Sequence, residues 1–480
     1  MTRAGTHTKK VVKRLTHHER RRRLHVPPAL QASNAVNVLS MTLPMVDRLF
    51  WRAGFGPTAA DRTRWVGRPV TEAVDWLLTT PGTPYGGTPA TNDGVALDPY
   101  GNDTDLVLSW VDAMVRTPNP LVERMTFYWH RHFANSRMDV SPPQLLVKQN
   151  ALFRSYADLA TKPAADFKSL VSDVSSDPSM LRYLTGESNV KGHANENYAR
   201  ELMELFTLGP VNDVGAPNYS ENDVQQLAKA LTGWQVSDAD PNAASSYFTT
   251  DRWYSGPKSA FGQYGNWRLA DVVGLVLAQP NHPTFIVRKL WGEFISTPLD
   301  EPTLRDLAAT YSSSGLQLKP LLQKILTHPA LFASIEEPNM LKPPVVYAVG
   351  VMRALGSPIT NSTVSDYLGS MGQTPYFPPN VSGWEGGLAW LNTNTALARW
   401  GFVAQLVTSG PKIDDVVGET TQAAFDRAYA AVNAPWLAAG TRDQIMAAAN
   451  RMPSKLPAQR LQRQQVLRTL MLAGPDAQVM

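Results

Sequence analysis

The chain has no cysteine among its 480 residues. Disulfide bonds, thiolate metal sites and cysteine nucleophiles are therefore excluded together. Long apolar runs are missing as well. The longest, such as Val272 to Ala278, fall far short of the ~20 residues that a membrane-spanning helix needs, so we expect no membrane span. The absence of cysteine does not identify the compartment.

Strand-like alternation of apolar and polar residues is rare in this sequence, whereas helical spacing is common. Only 246–254 alternates as a strand does, so we expect at most a small β-hairpin. Elsewhere apolar residues recur every three or four positions between Pro, Gly and Asn. The helices predicted in this way are 43–53, 70–78, 104–116, 121–134, 143–157, 164–174, 196–208, 221–232, 268–277, 284–294, 303–311, 318–326, 340–355, 389–407, 421–432, 442–448 and 457–472.

The composition of the chain, and the Pro-, Gly- and Asn-rich stretches between its helical segments, predict an all-α protein. Hydrophobic residues make up 43% and charged residues 18% of the chain, which is typical of a folded globular protein. Stretches rich in Pro, Gly and Asn at 79–101, 212–218 and 237–244 are predicted to be surface loops. We therefore expect an irregular array of many helices, joined by long Pro- and Gly-rich loops, in one domain over 41–480.

Acidic residues are almost missing from the first 23 residues, which carry nine basic side chains and the single acid Glu19. This segment holds a charge of +8, so the remaining chain holds −4 of the net +4. We predict a disordered basic arm over 1–40, and we expect contact with nucleic acid only through it. Met41, where the predicted domain begins, is an alternative start.

The basic arm resembles an export signal only in part. Arg21 to Arg23 are followed by 24–40, where Pro27 and Asn34 interrupt the apolar segment that a twin-arginine signal needs. A cytoplasmic location is therefore expected from the residues themselves.

In the segment 195–209, charged and amide side chains alternate with apolar residues that recur at helical spacing. Glu196, Arg200 and Glu204 stand at successive four-residue steps, so we predict that Arg200 pairs with both acids. The apolar stripe predicts a substantially buried helix. The ion pairs lock the structure if the charged face is buried and contribute little if it is exposed; the alternative is a catalytic or ligand-binding carboxylate pair. The candidates for catalysis are Glu196, Arg200, Glu201 and Glu204, and those for ligand binding are Asn195 and Asn197.

Two histidines, His130 and His132, lie in a predicted helix rich in aromatic residues. Side chains two positions apart on a helix point about 200° apart, so these two cannot chelate one metal together. We predict no metal site here. The histidines are either hydrogen-bonded within an aromatic core or part of a catalytic site.

The segment 378–387 contains too much Pro and Gly for a helix and is predicted to be a rigid loop. Its tryptophan, Trp384, needs an apolar surface to pack against. Two interpretations stay open. The loop either plugs the helical core or lines a pocket through Asn380, Ser382, Trp384 and Asn392.

Five segments resemble, in order along the chain, a large bacterial family known as domain of unknown function 1800. They are 47–58, 127–136, 195–209, 219–234 and 372–392, and the resemblance covers about 46–408. In one departure from the family pattern, 253–255 reads Trp-Tyr-Ser where a His-Asp pair is usual before Gly-x-Lys.

The resemblance implies no known reaction and no known cofactor. It implies that relatives are commonly exported and are often encoded beside a sulfatase-like family. Export is therefore an alternative location, and a protein encoded by a neighbouring gene is a candidate partner.

Two functional classes follow from the sequence. The favoured class is a helical scaffold or accessory partner protein, since each polar cluster has a structural explanation. The alternative is an enzyme, a metal-assisted hydrolase that uses His130 or His132 with Glu196, Arg200, Glu201 and Glu204. An open cavity surrounded by 127–136, 195–209 and the Trp384 loop would favour the enzyme, whereas interlocking segments would favour the scaffold.

Overall fold

The computed structural model of the chain describes residues 40–480. The predicted basic arm therefore lies outside the described residues, apart from its last residue. Ser40 forms an antiparallel bridge with Pro69, and the next residue, Met41, is buried and donates its main-chain N–H to the carbonyl of Arg68 at 2.8 Å. Met41 is thus packed into the described fold.

Helices dominate the described part of the chain, as predicted. The α-helices are α1 (Leu43–Arg52), α2 (Ala59–Trp65), α3 (Val70–Thr79), α4 (Asp103–Arg116), α5 (Pro120–His132), α6 (Pro143–Ala157), α7 (Phe167–Ser175), α8 (Pro178–Tyr183), α9 (Asn197–Glu201), α10 (Glu221–Ala230), α11 (Leu269–Leu277), α12 (His282–Phe294), α13 (Glu301–Ser313), α14 (Leu318–Leu326), α15 (Pro344–Leu355), α16 (Thr363–Ser370), α17 (Thr393–Ser409), α18 (Thr421–Ala431), α19 (Ala439–Asn450) and α20 (Pro457–Ala473). None of these helices combines the length and the apolar character that crossing a bilayer requires.

The sequence analysis does not predict three of the helices, because they are short. Helix α8 has six residues, α2 has seven and α16 has eight, so each spans about two turns, too few to establish an apolar period. Capping side chains start two of them. The side chain of Thr58 accepts from the N–H of Asp61 at the start of α2, and Asp177 accepts from Met180 at the start of α8.

The β-structure consists of three small antiparallel pairs in the described residues. Strands β1 (Thr91–Asn92) and β2 (Val95–Ala96) form the first, β3 (Trp234–Ser237) and β4 (Ser245–Phe248) the second, and β5 (Lys258–Ala260) and β6 (Gln263–Gly265) the third. The sequence predicts one of them, because β4 overlaps the alternating segment 246–254. Strands of two to four residues are too short to show alternation by themselves.

The apolar core divides into two clusters, and helix α5 belongs to both. Trp129 and Phe133 pack with the cluster formed by the first three helices and α6 to α14. Phe127 packs with the cluster formed by α4 and α15 to α20. Nearly every residue of α5 is buried, as expected for a helix that is surrounded on all sides. The side chains of this helix therefore meet elements from both halves of the chain.

Candidate functional site

The two histidines of α5 are buried and face different elements. The main-chain N–H of Tyr376 donates to His130 Nε2 at 3.1 Å. His132 Nε2 lies 2.9 Å from the carbonyl oxygen of Phe206. A carbonyl can only accept, so this nitrogen is assigned the proton. The divergence predicted from the two-residue spacing is confirmed.

Burial keeps both imidazoles neutral at pH 7. Loss of hydration lowers the pKa of His130 to about 3. The pKa of His132 is lowered well below its usual value, first by burial and then by the positive charge of Lys289. The His132 ring stacks on Tyr128, with centroids 5.9 Å apart. These contacts are those of hydrogen-bonded histidines within an aromatic core.

The Pro- and Gly-rich loop closes one side of α5. Trp384 is buried and stacks on Phe127 with ring centroids 5.9 Å apart. The rings of Trp384 and Tyr376 lie 5.7 and 5.6 Å from that of His130. The loop therefore plugs the core at this point, which is one of the two interpretations open from the sequence.

Asn380 and Asn392, two of the residues predicted to bind a ligand, make hydrogen bonds to the main chain within and after this loop. Asn380 Oδ1 accepts from the N–H of Ser382 at 2.9 Å, which forms a tight turn. Asn392 Oδ1 accepts from the N–H groups of Asn394 and Thr395, at 3.0 and 3.1 Å, and so caps α17.

On the opposite side of α5, the segment 195–209 is not a uniform α-helix. Helix α9 ends at Glu201 and continues as a π-helix over Leu202–Thr207. The N–H of Leu208 donates to the carbonyl of Met203, five residues earlier, at 2.9 Å. The wider π turn changes the register of the side chains that follow. It also brings the Phe206 carbonyl to His132.

Asn195 and Asn197 fix the entrance to α9. The side-chain amides of both asparagines donate to the hydroxyl of Thr185, at 2.8 and 3.1 Å. Asn195 Oδ1 also accepts from the N–H of Asn197 at 2.9 Å. Thr185 itself has the left-handed φ of +55°, which is uncommon for a residue other than glycine. The asparagines thus hold a bent connection in place.

The predicted pairing of Arg200 is confirmed for Glu196 and is wrong for Glu204. Arg200 pairs with Glu196 at 3.0 Å and with Glu221 of α10 at 2.6 Å. Glu204 instead accepts from the hydroxyl of Tyr219 at 3.2 Å. The π-helix begins between Arg200 and Glu204, so the four-residue spacing no longer places them on one face.

The sequence left open whether these ion pairs are buried or exposed, and they lie at the surface. The side chains of Arg200, Glu196 and Glu221 are 36%, 34% and 60% exposed. The apolar stripe of the segment is buried, as expected, but the charged face looks toward solvent. This cluster is therefore a surface network rather than an interior lock.

Glu201 and Glu204 form a partly buried acidic pair at the start of the π-helix. Burial raises the pKa of Glu201, and repulsion by Glu204 raises it further. The pKa of Tyr219 rises to about 12, through burial and then the charge of Glu204. The carboxyl group of Glu201 therefore holds its proton more readily than a free carboxyl group does. Among residues 40–480, no three His, Asp or Glu side chains are placed to hold a metal ion.

The three distinctive segments interlock around α5. The Trp384 loop lies on the His130 side and the π-helix on the His132 side, so the helix itself separates them. A cavity of about 300 Å³ borders α5 and the Gly386–Gly387 turn, but no residue of 195–209 lines it.

That cavity contains charged residues that the sequence reasoning missed. Arg124 and Arg131 of α5 both contact Glu293 of α12, at 2.8 and 2.5 Å. The signal in the sequence is weak: Arg124, Tyr128 and Arg131 share one face at the spacing i, i+4, i+7, within an otherwise aromatic and apolar helix.

Together these features define a mainly helical protein built around one enclosed helix, with a polar cavity along its edge. A family model described as "Protein of unknown function (DUF1800)" matches residues 48–479, and the chain belongs to this family. The resemblance seen in the sequence motifs is thereby confirmed. No relative among the curated proteins and no solved structure matches the chain significantly.

Proposed function

We propose that the protein is a non-catalytic helical accessory protein that binds a partner protein through an exposed apolar surface. We assign to this surface four large exposed side chains from the stretch 388–400 and call it the leucine–tryptophan surface. They are Leu388, Leu391, Leu397 and Trp400, at 85%, 39%, 66% and 44% exposure.

The leucine–tryptophan surface is the observation that carries the proposal. Leu388 lies in the short 3-10 turn Gly387–Trp390, and Leu391 follows this turn. Leu397 and Trp400 are three residues apart in the first turns of α17, so they share one face. Clustered exposed apolar side chains mark interaction sites in soluble proteins. Tryptophan is prominent among the residues that dominate binding energy at interfaces.

The position of this surface also supports a partner protein. It lies at the end of the segment 372–392, one of the segments that carry the family resemblance, while Trp384 of that segment packs inward against α5. The inner half of the segment thus anchors the loop. The outer half presents leucine side chains to solvent.

The hydrolase alternative has less support. His130 and His132 bind backbone groups on different sides of α5. Glu196 and Arg200 lie in a solvent-facing ion pair. These residues do not converge on one cavity, whereas a shared catalytic site would require that convergence.

The test uses as the partner a sulfatase-like protein encoded by a neighbouring gene, which is the partner that the family resemblance implies. The two proteins are co-expressed, and their complex is measured by size-exclusion chromatography with light scattering. Leu397→Asp and Trp400→Asp each place a charge in the leucine–tryptophan surface, and we expect each to weaken the complex at least about tenfold.

The control is Tyr264→Asp, because Tyr264 is also exposed but lies on strand β6. This variant should keep the complex intact. The proposal fails if the two proteins do not associate, or if all three variants associate equally well. A wild-type dimer that Trp400→Asp converts to a monomer would instead identify the surface as a self-association interface.

A further inference from the structure

The cavity beside α5, which we call the arginine cavity, is open to solvent and has a volume of about 300 Å³. Helix α5 forms one wall with Arg124 and Arg131, and α12 forms another with Gly292 and Glu293. The Gly386–Gly387 turn borders it on a third side. A volume of this size is at the lower end of the range for small-molecule sites.

Positive charge exceeds negative charge around the arginine cavity. Arg124 and Arg131 share the one carboxylate of Glu293. Lys289, one helical turn before Glu293, donates to the carbonyl of Leu205 at 2.7 Å and has no carboxylate within ion-pair distance among the described residues. Burial, and then the charge of Arg131, lowers the pKa of Lys289 to about 8. The two arginines that line the cavity thus share one acid, and Lys289 lies behind them rather than in its lining.

Arg124 is short of hydrogen-bond acceptors. Its side chain is 2% exposed, and its contact with Glu293 uses one terminal nitrogen. Its Nε has no hydrogen-bond partner among residues 40–480, and neither does the buried hydroxyl of Tyr128, one helical turn further along the same face. Buried donors without acceptors are costly, and a guanidinium more so than a neutral group. An oxyanion in the cavity would offer acceptors to the arginine side chains that line it.

Glycines leave room for a ligand of several atoms. Gly292, Gly386 and Gly387 all border the cavity. A methyl group added at any of them would meet no other atom within 4 Å. The backbone therefore borders open space at three points of the cavity lining.

From this geometry we infer that the arginine cavity binds an oxyanion, a carboxylate or a phosphate group. Arg131 and Arg124 would donate to its oxygens, since the guanidinium fork matches both groups. The carboxylate of Glu293 already contacts both arginines, so a bound anion would compete with it for their N–H groups. The inference stands on the cavity alone and does not require the accessory function proposed above.

Isothermal titration calorimetry of the full chain with inorganic phosphate, and separately with succinate, tests the site. We expect at least one of the two anions to bind with a dissociation constant of about 1 mM or tighter. The preferred anion identifies the class of ligand. Arg131→Gln should weaken binding at least about tenfold, because it removes one charged donor.

Two further variants separate a binding role from a structural one. Gly292→Leu fills the cavity from a helical position with open space, so it should abolish binding while the circular dichroism spectrum stays unchanged. Glu293→Gln removes the carboxylate that competes for the arginines, so binding should become tighter. A purely structural role for Glu293 predicts no such gain.

The matched control is Arg137→Gln. The side chain of Arg137 is 24% exposed, close to the 28% of Arg131, and it pairs with Asp103 away from the cavity. This variant should bind as the wild type does. The inference is overturned if neither anion binds at 10 mM, or if Arg131→Gln and Gly292→Leu both bind like Arg137→Gln.

Discussion

At the scale of single residues, the buried histidines show how the fold sets a protonation state. Besides His130, burial lowers the pKa of His282 to about 4. His282 Nδ1 lies 3.0 Å from the carbonyl of Thr207, next to the π-helix. These rings are neutral in the folded protein and become protonated on unfolding below about pH 6.5. They therefore link stability to pH.

We predict that stability falls as pH drops from about 6.5 toward 4. In this range the unfolded chain binds protons that the folded His130 does not, so each pH unit costs about 1.4 kcal/mol per such histidine. Above pH 6.5 both states are neutral at this position and the effect vanishes. The measurement is urea unfolding of the wild type and of His130→Gln at several pH values from 7 to 4. The slope of the unfolding free energy against pH should be smaller in the variant by about 1.4 kcal/mol per pH unit, which corresponds to one proton.

The control for the histidine prediction is His193→Gln, since His193 is exposed. Its slope should equal that of the wild type. A His130→Gln protein with an unchanged slope would show that His130 does not carry the pH dependence.

At the scale of the element, the π-helix decides which charges meet. It starts after Glu201 and turns Glu204 toward Tyr219. Arg200 is left with Glu196 and with Glu221, which stands at the start of α10. One extra residue per turn thus replaces a contact within the helix by a contact between two helices.

We predict that Arg200→Ala costs less than about 1 kcal/mol of unfolding free energy, because the ion pairs of Arg200 are largely exposed. Arg154→Ala is the contrasting variant. Arg154 pairs with Glu123, whose side chain is fully buried and also accepts from Trp110. Removing the arginine strands a buried carboxylate and should cost on the order of 3 kcal/mol.

Chemical denaturation of the two arginine variants checks this order. Equal losses in both would contradict the assignment of one pair to the surface and the other to the interior. A large loss in Arg200→Ala alone would restore the interior lock that the sequence pattern indicated.

At the scale of the whole molecule, α5 joins the two apolar clusters. Phe127 packs into one cluster and Trp129, two residues later, into the other. A change at either residue therefore acts on a helix that both halves of the chain share. Residues 41–480 remain, as a prediction, one cooperative domain.

We predict a single unfolding transition for the wild type and for Phe127→Ala. The substitution should cost about 3–5 kcal/mol, as is usual for a buried phenylalanine, and should lower the midpoint of the whole transition. Near-UV circular dichroism follows the tryptophans of both clusters, and far-UV signals follow the helices. Two separate transitions, with only one shifted by the variant, would show that the clusters unfold independently.

The sequence by itself determined the helical class, most helix positions and the family. Helices α6 and α14 agree with the prediction at both ends, because apolar periodicity and punctuation are local properties of the chain. The opposite directions of His130 and His132 also followed, since they depend only on helix geometry. The exposed leucine–tryptophan surface did not, because Leu397 and Trp400 fit a helical pattern whether or not another element covers them.

Tertiary structure decided which polar groups meet. The pairing of Arg200 with Glu221, and of Arg124 and Arg131 with Glu293, joins residues far apart in the chain. No local period specifies such contacts; they depend on how whole helices pack. The π-helix could not be predicted from the sequence either. Its apolar residues still fit the three- and four-residue spacing of an α-helix, although the wider turn changes the direction of the side chains of Leu202–Thr207.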